Sequence, residues 1–117
     1  MSKKDDCLFC KIVAGEVPST KVYEDERVLA FEDVSPQMPV HTLIVPKNHY
    51  DNIGDNIPDD EMGYLFNTVK KVAGLKGIAE RGSRVIVNTN DDAQQSVHHV
   101  HVHVLGGAPM NSGNPSA

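Results

Sequence analysis

The sequence predicts an α+β fold: a five-stranded antiparallel sheet with one long and one short helix. Apolar residues form three strand-like runs, then one helix-like run, then two further strand-like runs. This order lacks the regular strand–helix alternation of a parallel sheet. The 117 residues suffice for one hydrophobic core, so we expect a single domain over 1–117, with 108–117 as a flexible tail.

Local patterns justify each element in turn. A short helix is expected over 5–13, ended by Gly15 and Pro18. Alternating and β-branched residues predict strands over 20–24, 28–31, 41–45, 84–88 and 98–105. Pro58 opens the long helix. Its apolar residues recur at spacings of three and four: Met62, Leu65, Phe66, Val69 and Val72.

The charge balance argues against two classes of partner. Eleven basic residues against sixteen acidic ones leave a formal net charge of −5. Binding to nucleic acid or to a membrane surface by bulk charge favours basic proteins, so neither partner is expected. Residues 1–6 are polar and lead into no apolar run, which predicts a cytoplasmic or nuclear location.

Histidines dominate the last predicted strand, since four of the six lie within 98–103. Alternation along a strand places His99, His101 and His103 on one face, about 6.6 Å apart, and leaves valines to pack beneath the helix. Such a row can hold one anion from two sides, or one ring can attack while the next binds an oxygen. A metal site is the alternative, but it needs a ligand from another strand.

The two cysteines, Cys7 and Cys10, form a C-x-x-C pair. In a reducing compartment this spacing indicates a metal half-site or a redox pair, and histidines would have to complete a zinc shell. A thioredoxin-like role is not expected, because no βαβ unit surrounds the pair.

The segment 99–105, in which histidines and apolar residues alternate, resembles the signature of the histidine triad (HIT) family. Matching motifs extend over 6–107 and include Leu8-Phe9, Leu29-Ala30-Phe31, Ser35-Pro36-Gln37, Val45-Pro46-Lys47, Gln95-Ser96-Val97 and Leu105-Gly106-Gly107. The sequence most resembles the Hint branch of homodimeric purine nucleoside phosphoramidases. The resemblance implies a hydrolase that cleaves the phosphorus–nitrogen bond of nucleoside 5′-phosphoramidates, such as adenosine 5′-phosphoramidate, and releases AMP.

The resemblance also implies roles for the polar residues. His101 would be the nucleophile that forms a nucleotidyl-histidine intermediate, His99 would orient it, and His41 would be the fourth histidine of the relay. His103 and Asn88 would bind phosphate oxygens. Ser96 would bind the phosphate and the departing amine, while Val97 would lend its backbone N–H. Asp33 would hold the ribose hydroxyls, and Gln94 would lie at the phosphate.

The purine slot implied by the resemblance consists of Leu8, Phe9, Ile12, Phe31 and Val34. Core packing is the plainer interpretation of Phe9 and Phe31. Asp33 and Asn88 could equally end strands as turn residues, and His41 could be an exposed polar residue.

No cofactor is expected for catalysis, but the resemblance to bacterial members implies a structural zinc on Cys7, Cys10, His49 and His99. Two idle thiols are the alternative. A two-fold dimer with one continuous ten-stranded sheet is also implied, and the exposed edges of so small a sheet favour it.

Two departures from the family pattern leave function partly open. Ala93 and Gln94 stand where Hint proteins usually have glycines, which allow close approach to the phosphate. The chain also contains no tryptophan, whereas animal members carry one in the tail. A nucleotide-binding interaction protein with vestigial turnover is therefore the alternative function. A dinucleoside polyphosphate hydrolase fits the motifs less well, and the G-x-x-G at 74–77 indicates a helix end rather than an RNA-binding loop.

Overall fold

The computed structural model describes residues 4–110 and contains one antiparallel sheet flanked by two α-helices. Its elements are α1 (Leu8–Val13), β1 (Lys21–Glu24), β2 (Val28–Glu32), β3 (Val40–Pro46), α2 (Asp59–Leu75), β4 (Ser83–Ile86), a 3-10 turn (Asp91–Ala93) and β5 (Val102–Gly106). The strand order is β1-β2-β3-β5-β4, and all pairs are antiparallel. The predicted fold class is confirmed. Positions 111–117 of the predicted tail lie outside the described residues.

The two faces of the sheet bury different residues because side chains alternate along each strand. One face packs against α2, where Val102 and Val104 of β5 join Leu65 and Val72 of the helix in one buried cluster. The predicted packing of the valines beneath the long helix is confirmed. The opposite face packs against α1 through a second buried cluster: Cys7, Phe9, Cys10, Ile12, Leu29, Phe31, Leu43 and Val45. Each face thus has its own core, and the histidines of β3 and β5 lie on the α1 side.

Capping interactions define where the two helices begin and end. Helix α1 begins at Leu8 rather than at 5, because Cys7 is its N-cap and the Cys7 Sγ accepts a hydrogen bond from the Cys10 N–H at 3.3 Å. Acidic residues occupy the first turn of α2, where they favour the positive end of the helix dipole. Past its end, Gly77 takes the left-handed conformation at φ 73°, and the Ile78 N–H donates to the Ala73 carbonyl at 3.0 Å.

The last strand is shorter than the sequence pattern predicts. It begins at Val102, whereas the pattern predicts a start at 98. The Val100 N–H donates to the Tyr50 carbonyl at 2.7 Å, so this part of the chain bonds to the loop after β3 instead of extending the sheet. His98 is exposed, and His99 and His101 precede the regular strand. His99 is thereby free to turn its ring toward the cysteines at α1.

Within residues 4–110, neither helix combines the length and the apolar character that crossing a membrane requires.

Candidate active site and metal centre

A cavity of about 580 Å³ opens between α1, the end of β2 and the segment before β5. Its volume lies within the range of about 300–1,000 Å³ that is usual for small-molecule sites. Eleven residues singled out in the sequence line it: Leu8, Phe9, Ile12, Phe31, Asp33, Val34, Gln94, Ser96, Val97, His101 and His103. The cavity therefore collects most of the predicted site from four separate parts of the chain: 8–12, 31–34, 94–97 and 101–103.

One part of the cavity is apolar and has a buried wall and an exposed rim. Phe9 and Phe31 are buried and meet edge-to-face with ring centroids 5.4 Å apart. Val34 is 98% exposed and Leu8 is 46% exposed, so both remain available to a ligand. An apolar ring that entered between wall and rim would remove this surface from water.

His101 stands at the polar part of the cavity in a defined tautomer. Its Nδ1 lies 2.7 Å from the carbonyl oxygen of His99. Because a carbonyl can only accept, Nδ1 carries the proton and Nε2 carries the lone pair. Burial lowers the pKa of His101, although the His99 carbonyl opposes this effect. At neutral pH the ring is therefore uncharged, as a nucleophile requires.

His41 and His103 form a second hydrogen-bonded pair that ends in an unpaired donor. The backbone N–H of Gln37 donates to His41 Nδ1 at 3.0 Å, so His41 Nε2 carries the proton. The His41 Nε2–H donates to His103 Nδ1, with the two nitrogens 2.9 Å apart. Because His103 Nδ1 accepts, the ring proton of His103 is on Nε2. This Nε2 is buried and has no hydrogen-bond partner among the described residues. Burial lowers the pKa of His103 to about 4, helped by His101 and His41.

Asp33 links the rim of the cavity to this pair. One oxygen, Oδ1, accepts the backbone N–H of Ser35 at 2.8 Å. The other, Oδ2, lies 3.4 Å from His41 Nε2. The carboxylate therefore lines the cavity while it orients the His41 ring, and a ligand hydroxyl can still donate to it.

Four potential metal ligands meet at the ring of His99, on the side away from His101. They are Cys7, Cys10, His49 and His99 itself. The His99 Nδ1 lies 3.3 Å from Cys7 Sγ, 3.4 Å from Cys10 Sγ and 3.3 Å from His49 Nδ1. Cys10 Sγ is 3.3 Å from His49 Nδ1. A tetrahedral zinc ion, with bonds of about 2.3 Å to sulfur and 2.0–2.1 Å to nitrogen, sets two nitrogen ligands about 3.3 Å apart and a nitrogen and a sulfur about 3.5–3.6 Å apart. The donor set and its dimensions fit zinc.

The outer partners of the two imidazoles support the same interpretation. His99 Nε2 lies 2.9 Å from the Pro46 carbonyl, and His49 Nε2 lies 2.7 Å from Asp51 Oδ1. Both acceptors place the proton on Nε2 and leave the Nδ1 lone pairs facing each other. Burial lowers the pKa of His99 to about 4, which keeps it neutral. Two opposed lone pairs beside two thiols form a group that could hold a metal ion.

Some site residues differ from expectation or went unforeseen. Asn88 lies beyond the end of β4 and is not among the residues that line the cavity. The carbonyl oxygen of His99 contacts His101 Nδ1, whereas the ring of His99 is part of the candidate metal centre.

Gln37 and Gln95 were given no role by the sequence. Gln95 is buried, accepts the Asn90 N–H at 2.9 Å, and donates to the carbonyls of residues 51 and 97 at 2.7 and 3.0 Å. Its place in the family motif Gln95-Ser96-Val97 was the signal in the sequence.

The departure at Gln94 has a structural consequence. Gln94 adopts the left-handed conformation, with φ 61° and ψ 40°, immediately after the 3-10 turn. This is the conformation that glycine adopts without steric cost. The chain therefore keeps the backbone shape that a glycine would favour, but places a side chain at the cavity edge.

Comparison with known proteins places this geometry in a family. The HIT domain matches residues 14–110. The chain belongs to the HIT family. It is 42% identical over 108 residues to a purine nucleoside phosphoramidase of Escherichia coli, which covers 91% of each chain. It is also 44% identical over 110 residues to a 14 kDa zinc-binding protein of Brassica juncea, covering 91% of this chain and 96% of that one.

Solved structures of the HIT family share the fold. A histidine triad protein from Clostridium difficile is 48% identical with a TM-score of 0.89, covering 96% of this chain and 99% of that one. A HIT family hydrolase from Legionella pneumophila is 43% identical with a TM-score of 0.87, covering 96% and 100%. The fold and the family are therefore established over almost the whole chain.

Proposed function

We propose that this protein is a purine nucleotide-binding hydrolase that cleaves the phosphorus–nitrogen bond of nucleoside 5′-phosphoramidates, with adenosine 5′-phosphoramidate as the reference substrate. One observation carries the proposal: His101 and His103 line the same cavity, one with its lone pair on Nε2 and the other with an N–H that has no partner within residues 4–110. A phosphoryl group meets both needs at once, because its phosphorus accepts a nucleophile and its oxygens accept hydrogen bonds. The relationship to a phosphoramidase of the same length supports this substrate class.

The reaction proceeds in two displacements. The His101 Nε2 lone pair forms a bond to phosphorus while the phosphorus–nitrogen bond breaks, and the departing amine takes up a proton from solvent. Water then forms a phosphorus–oxygen bond as the phosphorus–Nε2 bond breaks, and one proton of the water returns to solvent, which releases AMP and restores neutral His101. The His103 N–H, the Ser96 hydroxyl and the Val97 N–H are the donors proposed for the phosphoryl oxygens. No metal takes part in either step.

The nucleoside part of the substrate is assigned to the apolar half of the cavity. Leu8, Phe9, Ile12, Phe31 and Val34 would hold the purine, with Val34 and Leu8 gaining most burial. Asp33 would accept the ribose hydroxyls. Asn88 is a proposed phosphate contact on the family resemblance alone, because it is not among the residues that line the cavity.

We propose that Cys7, Cys10, His49 and His99 bind a structural zinc ion. The ligand spacings, the two Nδ1 lone pairs and the relationship to a zinc-binding protein support this assignment. Such a closed shell would hold α1 against the segment before β5 and offers no open position for chemistry. Metal analysis of tag-free protein should find one zinc per chain, and Cys7→Ser should lose it. Well under one zinc per chain in the wild type would contradict the assignment.

We also propose a two-fold dimer that continues the sheet. Strand β4 forms one edge of the sheet, and Val85 on that strand is 39% exposed. Phe66 on α2 is 38% exposed, so the helix also presents apolar surface. Light scattering should give twice the chain mass of 12.8 kDa, and a monomer mass would refute the dimer.

The proposed activity is tested by turnover of a fluorogenic adenosine phosphoramidate. His101→Ala should abolish turnover, whereas His98→Ala, which changes an exposed neighbouring histidine outside the cavity, should retain it. Brief treatment with a chelator that leaves the folded protein intact should not mimic His101→Ala. Equal turnover by wild type and His101→Ala would refute covalent catalysis by His101.

A second candidate function is a nucleotide-binding module with vestigial turnover. The side chain of Gln94 at the cavity edge favours it, because this position adopts a glycine-like backbone next to the expected phosphate site. The same experiment separates the two functions. AMP binding without turnover above the His101→Ala level would support the module and refute the hydrolase.

A further inference from the structure

We propose that the Cys7–Cys10–His49–His99 centre holds the nucleotide cavity in its binding shape, so that metal occupancy and nucleotide affinity are coupled. The inference rests on the proposed nucleotide site and zinc site, and adds a communication between them. It makes His99 and Phe9 positioning residues, since each connects the centre to His101.

The first connection runs through a single residue. The His99 ring supplies Nδ1 to the centre, while the carbonyl oxygen of the same residue sits 2.7 Å from His101 Nδ1. His99 is fully buried, and its Nε2 is held by the Pro46 carbonyl at 2.9 Å. A ring fixed on two sides leaves its own backbone little freedom. The carbonyl that sets the tautomer of His101 is therefore held in place from the metal centre.

The second connection runs through α1. The helix has only six residues, which is too short to be stable without tertiary contacts. Cys7 and Cys10 flank Leu8 and Phe9 in the chain, and Leu8 and Phe9 line the cavity. The Phe9 ring lies edge-to-face with the His101 ring, centroid to centroid 5.0 Å. Fixing the two cysteines therefore also fixes the wall of the cavity.

Loss of the metal would release both connections together. The Nδ1 atoms of His49 and His99 would face each other at 3.3 Å with no cation between them, and their lone pairs would repel. Loss of the metal would also release Cys7 and Cys10, so that α1 and the backbone at 99 could each move. Either movement disturbs the contacts that position His101. Binding of a nucleotide, which uses the same wall, must in turn strengthen metal binding by the same factor.

The test measures binding rather than turnover. AMP is titrated by calorimetry into zinc-loaded protein and into chelator-treated protein, with circular dichroism to establish that both are folded. We expect AMP to bind about 10-fold more weakly to the zinc-free form, within the usual range of coupling between two sites. Equal affinities in the two folded forms would overturn the proposal. Absence of any AMP binding to either form would instead refute the proposed nucleotide site.

A second measurement applies even if the zinc-free chain does not fold. Cobalt(II) bound in place of zinc to two thiolates and two imidazoles absorbs visible light according to its ligand geometry. Saturating AMP should change this spectrum, with a midpoint at the dissociation constant found by calorimetry. An unchanged spectrum at full AMP occupancy would overturn the proposal.

Two matched variants of α1 separate positioning from general packing. Phe9→Leu removes the ring contact with His101. The ratio of AMP affinity in the zinc-loaded form to that in the zinc-free form should therefore fall from about 10 toward one. Val13→Ala removes side-chain volume from the same helix, packs against the same buried cluster and lies outside the cavity lining. It should leave that ratio unchanged. Equal ratios in wild type and Phe9→Leu would contradict the route through Phe9.

Discussion

Replacing Gln94 by glycine should stabilise the protein, even though glycine usually destabilises a folded chain. Gln94 is held at φ 61° and ψ 40°, in the left-handed region. This conformation costs an L-residue about 1–2 kcal/mol of folding free energy, because Cβ approaches the following carbonyl oxygen, and glycine has no Cβ. Glycine loses about 0.5–1 kcal/mol through the greater freedom of the unfolded chain. The Gln94 side chain is exposed, so little burial is lost. The free energy of unfolding should therefore rise by about 0.5–1 kcal/mol.

The neighbouring residue supplies the matched control. Ala93 lies within the 3-10 turn and is not among the described non-glycine residues with positive φ. Ala93→Gly therefore gains no relief of strain and should lower the free energy of unfolding by about 0.5–1 kcal/mol. Two adjacent substitutions to glycine are thus expected to act in opposite directions.

Equilibrium unfolding in urea, at neutral pH and with saturating zinc, measures both variants. Equal slopes with denaturant concentration would establish that the midpoints can be compared directly. If Gln94→Gly proved as destabilising as Ala93→Gly, the left-handed backbone would carry no strain and the reasoning would be refuted.

Four further substitutions test the stability of the fold. Leu65→Ala, at a position 1% exposed against the sheet, should cost about 2–4 kcal/mol in urea unfolding. Leu75→Ala, at a position of the same helix that is 58% exposed, should cost well under about 1 kcal/mol. Asp25→Asn should cost about 2 kcal/mol, because the carboxylate accepts the hydroxyls of Tyr23 and Tyr64. His103→Gln should flatten the acid side of the stability profile, measured by urea unfolding at a series of pH values.

The sign of each pH effect follows from the direction of the pKa shift. Burial opposes ionisation of Asp25, but the two tyrosine hydroxyls and the backbone N–H groups of residues 27 and 28 hold its pKa well below the usual range. Its contribution is therefore complete above a pH of about 4 and is lost below that value. The pKa of His103 is lowered to about 4. Its neutral form favours the folded state above a pH of about 6.5, and this contribution is lost as the pH falls through about 4.

Acid titration of the variants checks these signs. Asp25→Asn should remove part of the stability loss below a pH of about 4, and His103→Gln should remove part of the loss between about 6.5 and 4. Superimposable profiles of wild type and His103→Gln over that interval would contradict the assignment of a neutral buried His103.

Local patterns predicted the elements well because they depend on short-range physics. The apolar runs of β2 and β3, the alternation of histidine with apolar residues in β5 and the spacing of three and four in α2 reflect which side chains must leave water. This is readable from neighbouring residues alone. The start of β5 was predicted wrongly, because the Val100 N–H finds the Tyr50 carbonyl, a partner far along the chain. A pattern of alternating histidine and valine cannot reveal which backbone donor leaves the sheet.

Residue chemistry and the family motifs singled out groups that line the cavity and form the candidate metal centre, but not their connections. Cys7 and His99 are 92 residues apart in the chain, and His41 and His103 are 62 apart. Their contacts exist only because α1, β3 and the segment before β5 pack on one face of the sheet. The tautomers follow from the same packing, since the Gln37 N–H and the carbonyls of Pro46 and His99 decide which nitrogen keeps its proton.

The sequence by itself determined the family, the order of the elements and the kinds of groups available: imidazoles, two thiols, one carboxylate and an apolar wall. Only the tertiary structure decided that the ring of His99 joins the candidate metal centre while the His99 carbonyl contacts His101. It also decided that His103 presents a donor with no partner within residues 4–110 and that Gln94 occupies a left-handed backbone. Side-chain chemistry is a property of each residue, whereas proton positions, ligand spacings and backbone strain depend on neighbours that only folding brings together.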